Sequence, residues 1–530
     1  MRMSVALDVS VSARHTRPPA PMQSVAAFFF MALPWLNPFS FGPSPSVVQW
    51  LFTLWSLGFF LLLAPRVCLA DVAASAWLAA ALLSSLIGLL QYFGATALFG
   101  PWVDNAGVGE AFANLRQRNQ FATLTSIGLA ALLWCVAERH PLPAAPAVAE
   151  RLPRRGWSLV IFMAAAALLA MGNAASSSRT GLVQLVLLTG FTFMWGGWRQ
   201  SELRRVVLAA LLAYGIAALV LPLLAGLNPH ATGILVRLHD GDSLCGSRLT
   251  LWANVLHLIA QKPWLGWGWG ELDFAHFITL YPGSRFCDIL DNAHNLPLHL
   301  AVELGVPLAL ALCVGAAWLT WRAKPWLERD ATRQLAWTVL ALILLHSMLE
   351  YPLWYGPFQV AFGLSLWLLW RAPESSAGKS VSVNPMTPVV FAVTATLLLA
   401  MVAYAGWDYH RISQIYLSPA MRAEAYRDNT LEKIQDSWLF QNSVRFAELT
   451  TTPLTRDNAA HIHQLATDLL HFSPEAGVVE KCIESAALLD HDDEAQFYQV
   501  RYQAAFPDSY ALWAARQSPG KSALGTSTPP

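Results

Sequence analysis

Hydrophobic positions along the chain fall into long continuous runs, not into narrow amphipathic stripes. A bilayer core takes roughly 20 mostly apolar residues to cross. Runs of about that length lie near 24–41, 46–64, 73–95, 120–137, 157–173, 181–198, 206–225, 296–320, 335–350, 358–371 and 387–408. The pattern predicts an all-α, polytopic transmembrane bundle of about eleven spans. The first run is interrupted by Pro34 and Pro38, and the run at 358–371 is short.

Two polar stretches interrupt this pattern. One is a loop at 226–295, which separates spans one to seven (24–225) from spans eight to eleven (296–408). The other is the C-terminal segment 409–517, whose apolar spacing predicts short amphipathic helices at 420–441, 457–472, 477–489, 493–505 and 510–516. Successive short helices of this kind suggest a tetratricopeptide-like module, although no clean repeat period is visible. Residues 518–530, rich in Ser, Gly, Thr and Pro, read as a disordered tail, and 1–23 as an N-terminal segment ahead of the first span.

Composition fits this reading. The chain is 55% hydrophobic and only 13% charged, against about 25% charged in soluble domains; mean hydropathy is +0.41. Net charge is zero, so no basic field invites nucleic acid. The informative charge is local. With the N-terminus on the cytoplasmic side, the cytoplasmic segments carry 17 Lys and Arg and the opposite loops 7, as the positive-inside rule requires. The loop 226–295 and the C-terminal helices then share the outer side of the membrane.

That side also holds the residues suited to chemistry. Ionisable groups near membrane depth are costly, which makes them functional candidates. Asn114-Leu-Arg-Gln-Arg-Asn-Gln-Phe121 opens the fourth span with Arg116 and Arg118, against the charge trend. Ser176-Ser-Ser-Arg179-Thr-Gly181 is a tight turn between two apolar spans. Ser247-Arg248-Leu-Thr-Leu-Trp252 starts a helix capped by Ser247 and leads into the Trp/Gly run 263–270. Each arginine could be an interfacial anchor. Each also suits a phosphate, which guanidinium grips through paired charge-assisted bonds. Asp291-Asn-Ala-His294-Asn295 offers a histidine able to accept a proton at neutral pH, with Asp291 as an orienting neighbour; a polar helix cap is the plainer alternative. His346 and Glu350 stand one helical turn apart before Tyr351-Pro-Leu-Trp-Tyr355, and either line a cavity or bond each other. Cys245 and Cys287 lie in the same loop, either as a disulfide or as two thiols. No CxxC or Cys/His spacing suggests a metal, and no phosphate-cradling glycine motif suggests a nucleotide. A membrane-embedded lipid pyrophosphate fits these features better than a soluble donor, with no cofactor required.

Arg116-Gln-Arg-Asn-Gln-Phe121, Ser178-Arg179-Thr-Gly181, Ser247 to Trp252, Asp291 to Asn295 and His346-Ser-Met-Leu-Glu350-Tyr-Pro-Leu-Trp354 together resemble the O-antigen ligase/polymerase superfamily, and within it the PglL-type protein O-oligosaccharyltransferases. The likeness covers about 25–408 and extends to the helical tail. It implies en bloc transfer of an oligosaccharide from undecaprenyl pyrophosphate to Ser or Thr hydroxyls of a periplasmic or exported protein such as a pilin. In that scheme His294 is the general base, and Arg179 and Arg248 hold the pyrophosphate. Arg118, Gln120, Asn295, Glu350 and Tyr351 line the donor site. An O-antigen ligase acting on lipid A-core, a polysaccharide polymerase, and a non-enzymatic lipid-oligosaccharide flippase are the alternatives. The flippase fits least, because the candidate charges gather at one face and no internal symmetry is visible.

Overall fold

The computed structural model describes residues 21–40, 42–139, 155–228, 233–239, 245–370 and 386–517. Residues 1–20 of the expected N-terminal segment 1–23, and the tail 518–530, lie outside these residues; 21–23 already belong to the first helix. In chain order the helices are α1 (Pro21–Leu36), α2 (Pro45–Leu63), α3 (Leu69–Tyr92), α4 (Arg118–Arg139), α5 (Arg155–Ala175), α6 (Arg179–Met194), α7 (Ser201–Leu224), α8 (Ile234–His239), α9 (Arg248–Gln261), α10 (Leu272–Ile278), α11 (Leu296–Leu304), α12 (Val306–Ala323), α13 (Ala331–Ser347), α14 (Gly356–Trp370) and α15 (Met386–Ser413). They continue as α16 (Thr430–Ile434), α17 (Gln441–Thr451), α18 (Ala459–Leu469), α19 (Ala476–Leu488), α20 (Asp492–Ala505) and α21 (Pro507–Gln517). The described residues contain no strand.

Among the described residues, seven helices are long and apolar enough to cross a membrane: α2 to α5, α7, α12 and α15. α1, α6 and α14 are apolar but shorter. They correspond to the expected spans at 24–41, 181–198 and 358–371. Burial separates centre from rim. In α4, 78% of the spanning window is buried, whereas in α12 and α15 only 6% is. α4 packs against α3, α5, α6 and α13 and forms the axis of the bundle. Small residues permit this closeness. A Cβ on Gly128 of α4 would lie 2.3 Å from the Ala81 Cβ of α3. Polar side chains inside α4 are satisfied across helices: Asn173 of α5 donates to Thr125 Oγ1 (3.0 Å) and Ser126 Oγ (3.3 Å).

Three expectations change. The run 296–320 is not one helix, because it breaks at Gly305, where φ is +87°. The break is imposed from outside the run. A Cβ on Gly305 would sit 2.2 Å from the Trp264 carbonyl oxygen, and one on Gly266 would sit 2.3 Å from that of Glu303. The two glycines let the 263–270 loop press against the α11–α12 corner, with Trp267 N–H donating to the Val302 carbonyl at 2.8 Å. α11 therefore stays with α9 and α10 in a compact layer around Leu251, Leu258 and Val302, and α12 alone enters the membrane run. Second, the helix expected over 420–441 is replaced by single turns at Pro419–Met421 and Glu424–Tyr426 and the short α16, while α17 follows where none was expected. Third, α15 continues past 409 to Ser413, tied down by the Arg411 pairs with Asp408 (2.9 Å) and Asp436 (2.8 Å).

α17 to α21 bury a common core around Leu465, Val479, Ile483 and Tyr502. Phe277 of α10 belongs to the same core, and Arg501 of α20 donates to the Ile278 carbonyl at 2.8 Å. The large loop and the C-terminal helices are thus one packed unit at one end of the bundle.

Candidate active site

The segments that meet at this end are the starts of α4, α6 and α9, the loop before α11, and the turn after α13. Ser178 caps α6 by accepting the Gly181 N–H (3.1 Å), which fixes the tight turn carrying Arg179. Ser247 caps α9 through the Thr250 N–H (3.1 Å) and sets Arg248 in its first turn. Asn295 caps α11 through the Leu298 N–H (3.1 Å), and its side-chain amide donates to the Met348 carbonyl (3.1 Å), stitching the pre-α11 loop to the end of α13.

His294 has φ +48°, the left-handed region, which histidine enters more readily than most residues. It is held there from both sides. The Asn292 side chain accepts its N–H at 2.9 Å, and Trp252 donates to the preceding Ala293 carbonyl at 3.1 Å. Strain of this kind persists only where neighbours over-determine it.

Glu350 is the hub. One carboxylate oxygen accepts from His294 Nδ1 at 2.8 Å. The other accepts from Arg248 Nη2 and from Asn119 Nδ2, the latter at 3.1 Å. Asn119 in turn accepts from Ser178 Oγ at 2.6 Å, so the arginine turn is linked to the same carboxylate. Burial pushes the Glu350 carboxyl upward, but the His294 hydrogen bond and the charges of His294 and Arg248 outweigh it and hold it below its usual value. An ionised Glu350 fixes the Nδ1–H tautomer of His294 and leaves Nε2 as the acceptor nitrogen. The His294 ring is packed edge-on against Tyr351 (4.9 Å between centroids), and Tyr351 stacks on Tyr355 at 5.9 Å.

Asp291 therefore is not the orienting carboxylate that adjacency suggests; that contact belongs to Glu350. The His346 side chain does not bond the Glu350 carboxylate either, although the Glu350 N–H donates to the His346 carbonyl at 2.9 Å; the His346 ring faces Thr123 Oγ1 at 2.9 Å inside the bundle. Arg248 is not a bare cation, since Glu350 takes one edge of its guanidinium. Arg179 is exposed at the first turn of α6. Arg118 faces Glu110 at 3.6 Å, and Gln120 is buried and bonded to Tyr355. Cys245 and Cys287 form a disulfide with Cα atoms 5.2 Å apart, fastening the lead into α9 to the loop before His294. Asn119, Ser178 and Tyr355 stand within the motifs that the sequence singles out, but sequence reasoning gave them no role. An uncharged Asn one residue into an apolar helix was the available signal for the first.

The chain matches three family models, described as "Protein glycosylation ligase" over 111–134, "O-Antigen ligase" over 162–313 and "Virulence factor membrane-bound polymerase, C-terminal" over 334–519. The Glu350 hub draws on all three: Asn119 from the first, Arg248 and His294 from the second, Glu350 itself from the third. The chain is 25% identical over 354 residues to a general O-oligosaccharyltransferase of Acinetobacter baylyi, covering 64% of this chain and 56% of the relative. It is also 25% identical over 260 residues to a ComP-specific O-oligosaccharyltransferase of the same organism, covering 48% and 43%. The chain thus spans about half the length of the curated relatives it matches. No solved structure matches significantly. Together these matches make the chain similar to the O-antigen ligase/polymerase superfamily, and within it to the PglL-type protein O-oligosaccharyltransferases.

Proposed function

We propose that this protein transfers an oligosaccharide en bloc from undecaprenyl pyrophosphate to Ser or Thr hydroxyls of a protein, at the periplasmic face of a bacterial inner membrane. The observation that carries the reading is the Glu350 carboxylate gripped by Arg248 and His294 at the end of an apolar bundle. The acceptor hydroxyl gives its proton to His294 Nε2 as its oxygen bonds the anomeric carbon. The carbon–oxygen bond to phosphate breaks, and the lipid pyrophosphate leaves with the electron pair. Glu350 stabilises the imidazolium so formed. Charge developing on the leaving group is met by Arg179 and by the donors of Arg248 that Glu350 does not use; guanidinium has five. Gln120, Arg118, Asn295 and Tyr351 shape the donor site around them.

The curated relatives support a protein acceptor. The "O-Antigen ligase" match over 162–313 favours a second reading, in which the acceptor is a lipid-linked sugar. Expression beside a lipid-linked glycan pathway and an exported Ser-rich acceptor separates the two. The expected result is a glycan-sized mass increase on the acceptor protein that vanishes with His294→Ala. Glycan on lipid A-core with none on protein would overturn the protein-acceptor reading.

A further inference from the structure

Far from the Glu350 hub, the C-terminal helices bring together His463 of α18, His491 just before α20, and Glu494 in the first turn of α20. Their nearest ligand atoms all lie within 4.8 Å of one another. Both imidazoles converge on a single carboxylate oxygen. His463 Nε2 lies 3.3 Å and His491 Nδ1 3.6 Å from Glu494 Oε2. Ligands bound to zinc at about 2.0–2.1 Å in a tetrahedral arrangement are themselves separated by roughly 3.3 Å, so the two separations from Glu494 Oε2 are close to the edge of a coordination tetrahedron.

The tautomer of His463 sharpens the point. The Ser485 hydroxyl points its hydrogen at the Lys481 carbonyl, 2.6 Å away. Its oxygen is then an acceptor for His463 Nδ1–H at 3.2 Å. A neutral His463 therefore aims the Nε2 lone pair at the Glu494 carboxylate. Two lone pairs facing each other at 3.3 Å need a cation between them. A hydroxyl that fixes the far ring nitrogen is also how proteins orient metal-bound histidines. His463 is mostly buried while His491 and Glu494 are half-exposed, which leaves an entry path and room for a water ligand.

We propose that His463, His491 and Glu494 form a binding site for a divalent transition-metal ion, zinc foremost, with water as the fourth ligand. Two imidazoles and one carboxylate suit zinc and disfavour magnesium or calcium, which take oxygen sets. The ion would clamp α18 to the start of α20, the helix whose Arg501 holds α10 of the catalytic layer. No sequence spacing announces the site, because His463 is brought in from another helix.

The test is zinc titration of the full-length, tag-free protein in detergent after chelator treatment, read by a chromophoric competitor and by thermal midpoint. One zinc per chain is expected to bind and to raise the midpoint, with no effect of magnesium. Glu494→Gln and His491→Ala should each weaken zinc by at least about tenfold and abolish the thermal shift, while keeping the helical circular dichroism of the parent. His461→Ala, two residues earlier on α18 and on its exposed face, should change neither. Wild-type zinc affinity in the Glu494→Gln and His491→Ala variants, or no stoichiometric zinc in the parent, overturns the proposal; in the second case a proton bridges His463 and Glu494 instead.

Discussion

Two histidine–glutamate pairs lie within ten residues of each other in sequence at their histidines, and they are opposites. In His294–Glu350 the two groups are 2.8 Å apart, and the carboxylate also receives Arg248 and Asn119. In His299–Glu303 the groups approach only to 3.5 Å, both are sealed, and the His299 Nδ1 and Glu303 Oε2 atoms have no hydrogen-bond partner among the described residues. Burial pushes the Glu303 carboxyl up to about 7. Burial, aided by the nearby His294 charge, pulls His299 down to about 4. Burial acts on Glu350 in the same direction, yet there the donors win. The difference lies in the surroundings: Glu350 has the His294 hydrogen bond and, after it, the Arg248 guanidinium, whereas Glu303 has the Gly270 N–H and the nearby Asp273 and Glu271 carboxylates. A buried carboxylate in the first setting stays charged and can support a proton on its histidine, whereas a pair in the second drifts towards two neutral groups.

The sharpest way to break this contrast is to remove the histidines in turn. His294→Ala should lower transfer by about 10⁴-fold, the upper range for a positioned general base. His299→Gln should lose stability but retain a rate well above that of His294→Ala. Single-turnover glycan transfer to a purified acceptor decides it, and equal losses in the two variants would remove the base assignment.

Next in size is the carboxylate. Glu350→Gln keeps the shape but cannot hold an imidazolium, and should cost about 10²–10³ in rate with kcat falling more than KM rises. Arg248→Ala should fall in the same range, since it loses a pyrophosphate donor and leaves Glu350 uncompensated. Arg248→Lys should recover only part, because ammonium lacks the planar fork. The double variant should be much less than the product of the singles, as expected for groups in contact. Strict additivity would mean that Arg248 works independently of Glu350. Arg179→Ala, outside the hub, should weaken donor use and combine nearly additively with Glu350→Gln.

How far the sequence could carry this is visible in the same residues. The apolar runs gave the helices, because span length and lipid-facing composition are local properties. His294 and Asn295 were readable as a polar entrance to a helix, and Arg179 as a cation in a tight turn between two apolar runs. Glu350 was readable as a candidate but with the wrong partner. Spacing pairs it with His346 on an ideal helix, whereas α13 ends at Ser347 and the turn swings Glu350 towards a loop more than fifty residues upstream in sequence. The break at Gly305 was hidden for a similar reason: its cause is the Trp264 carbonyl, a contact that no local pattern encodes. Helix periodicity predicts what a segment does alone; the hub and the corner are made by segments that meet only after folding.

The smallest effect concerns the sealed pair, and its sign can be worked out. Glu303, raised from 4.5 to about 7, binds its proton more tightly in the folded state, so its contribution is full below pH 4.5 and is lost as pH rises through about 7. His299, lowered from 6.5 to about 4, does the reverse: its contribution is full above pH 6.5 and is lost as pH falls through about 4. Between roughly pH 4.5 and 6.5 the two slopes oppose and largely cancel. Removing either group should expose the other. In Glu303→Gln the thermal midpoint relative to wild type should rise with pH across this window; in His299→Gln it should fall. Midpoints of the full-length protein in detergent, taken as variant-minus-wild-type differences at each pH, cancel the titration of the rest of the chain. Two flat difference curves would mean that Glu303 and His299 titrate as they do in water, and that their surroundings are not what separates this pair from His294–Glu350.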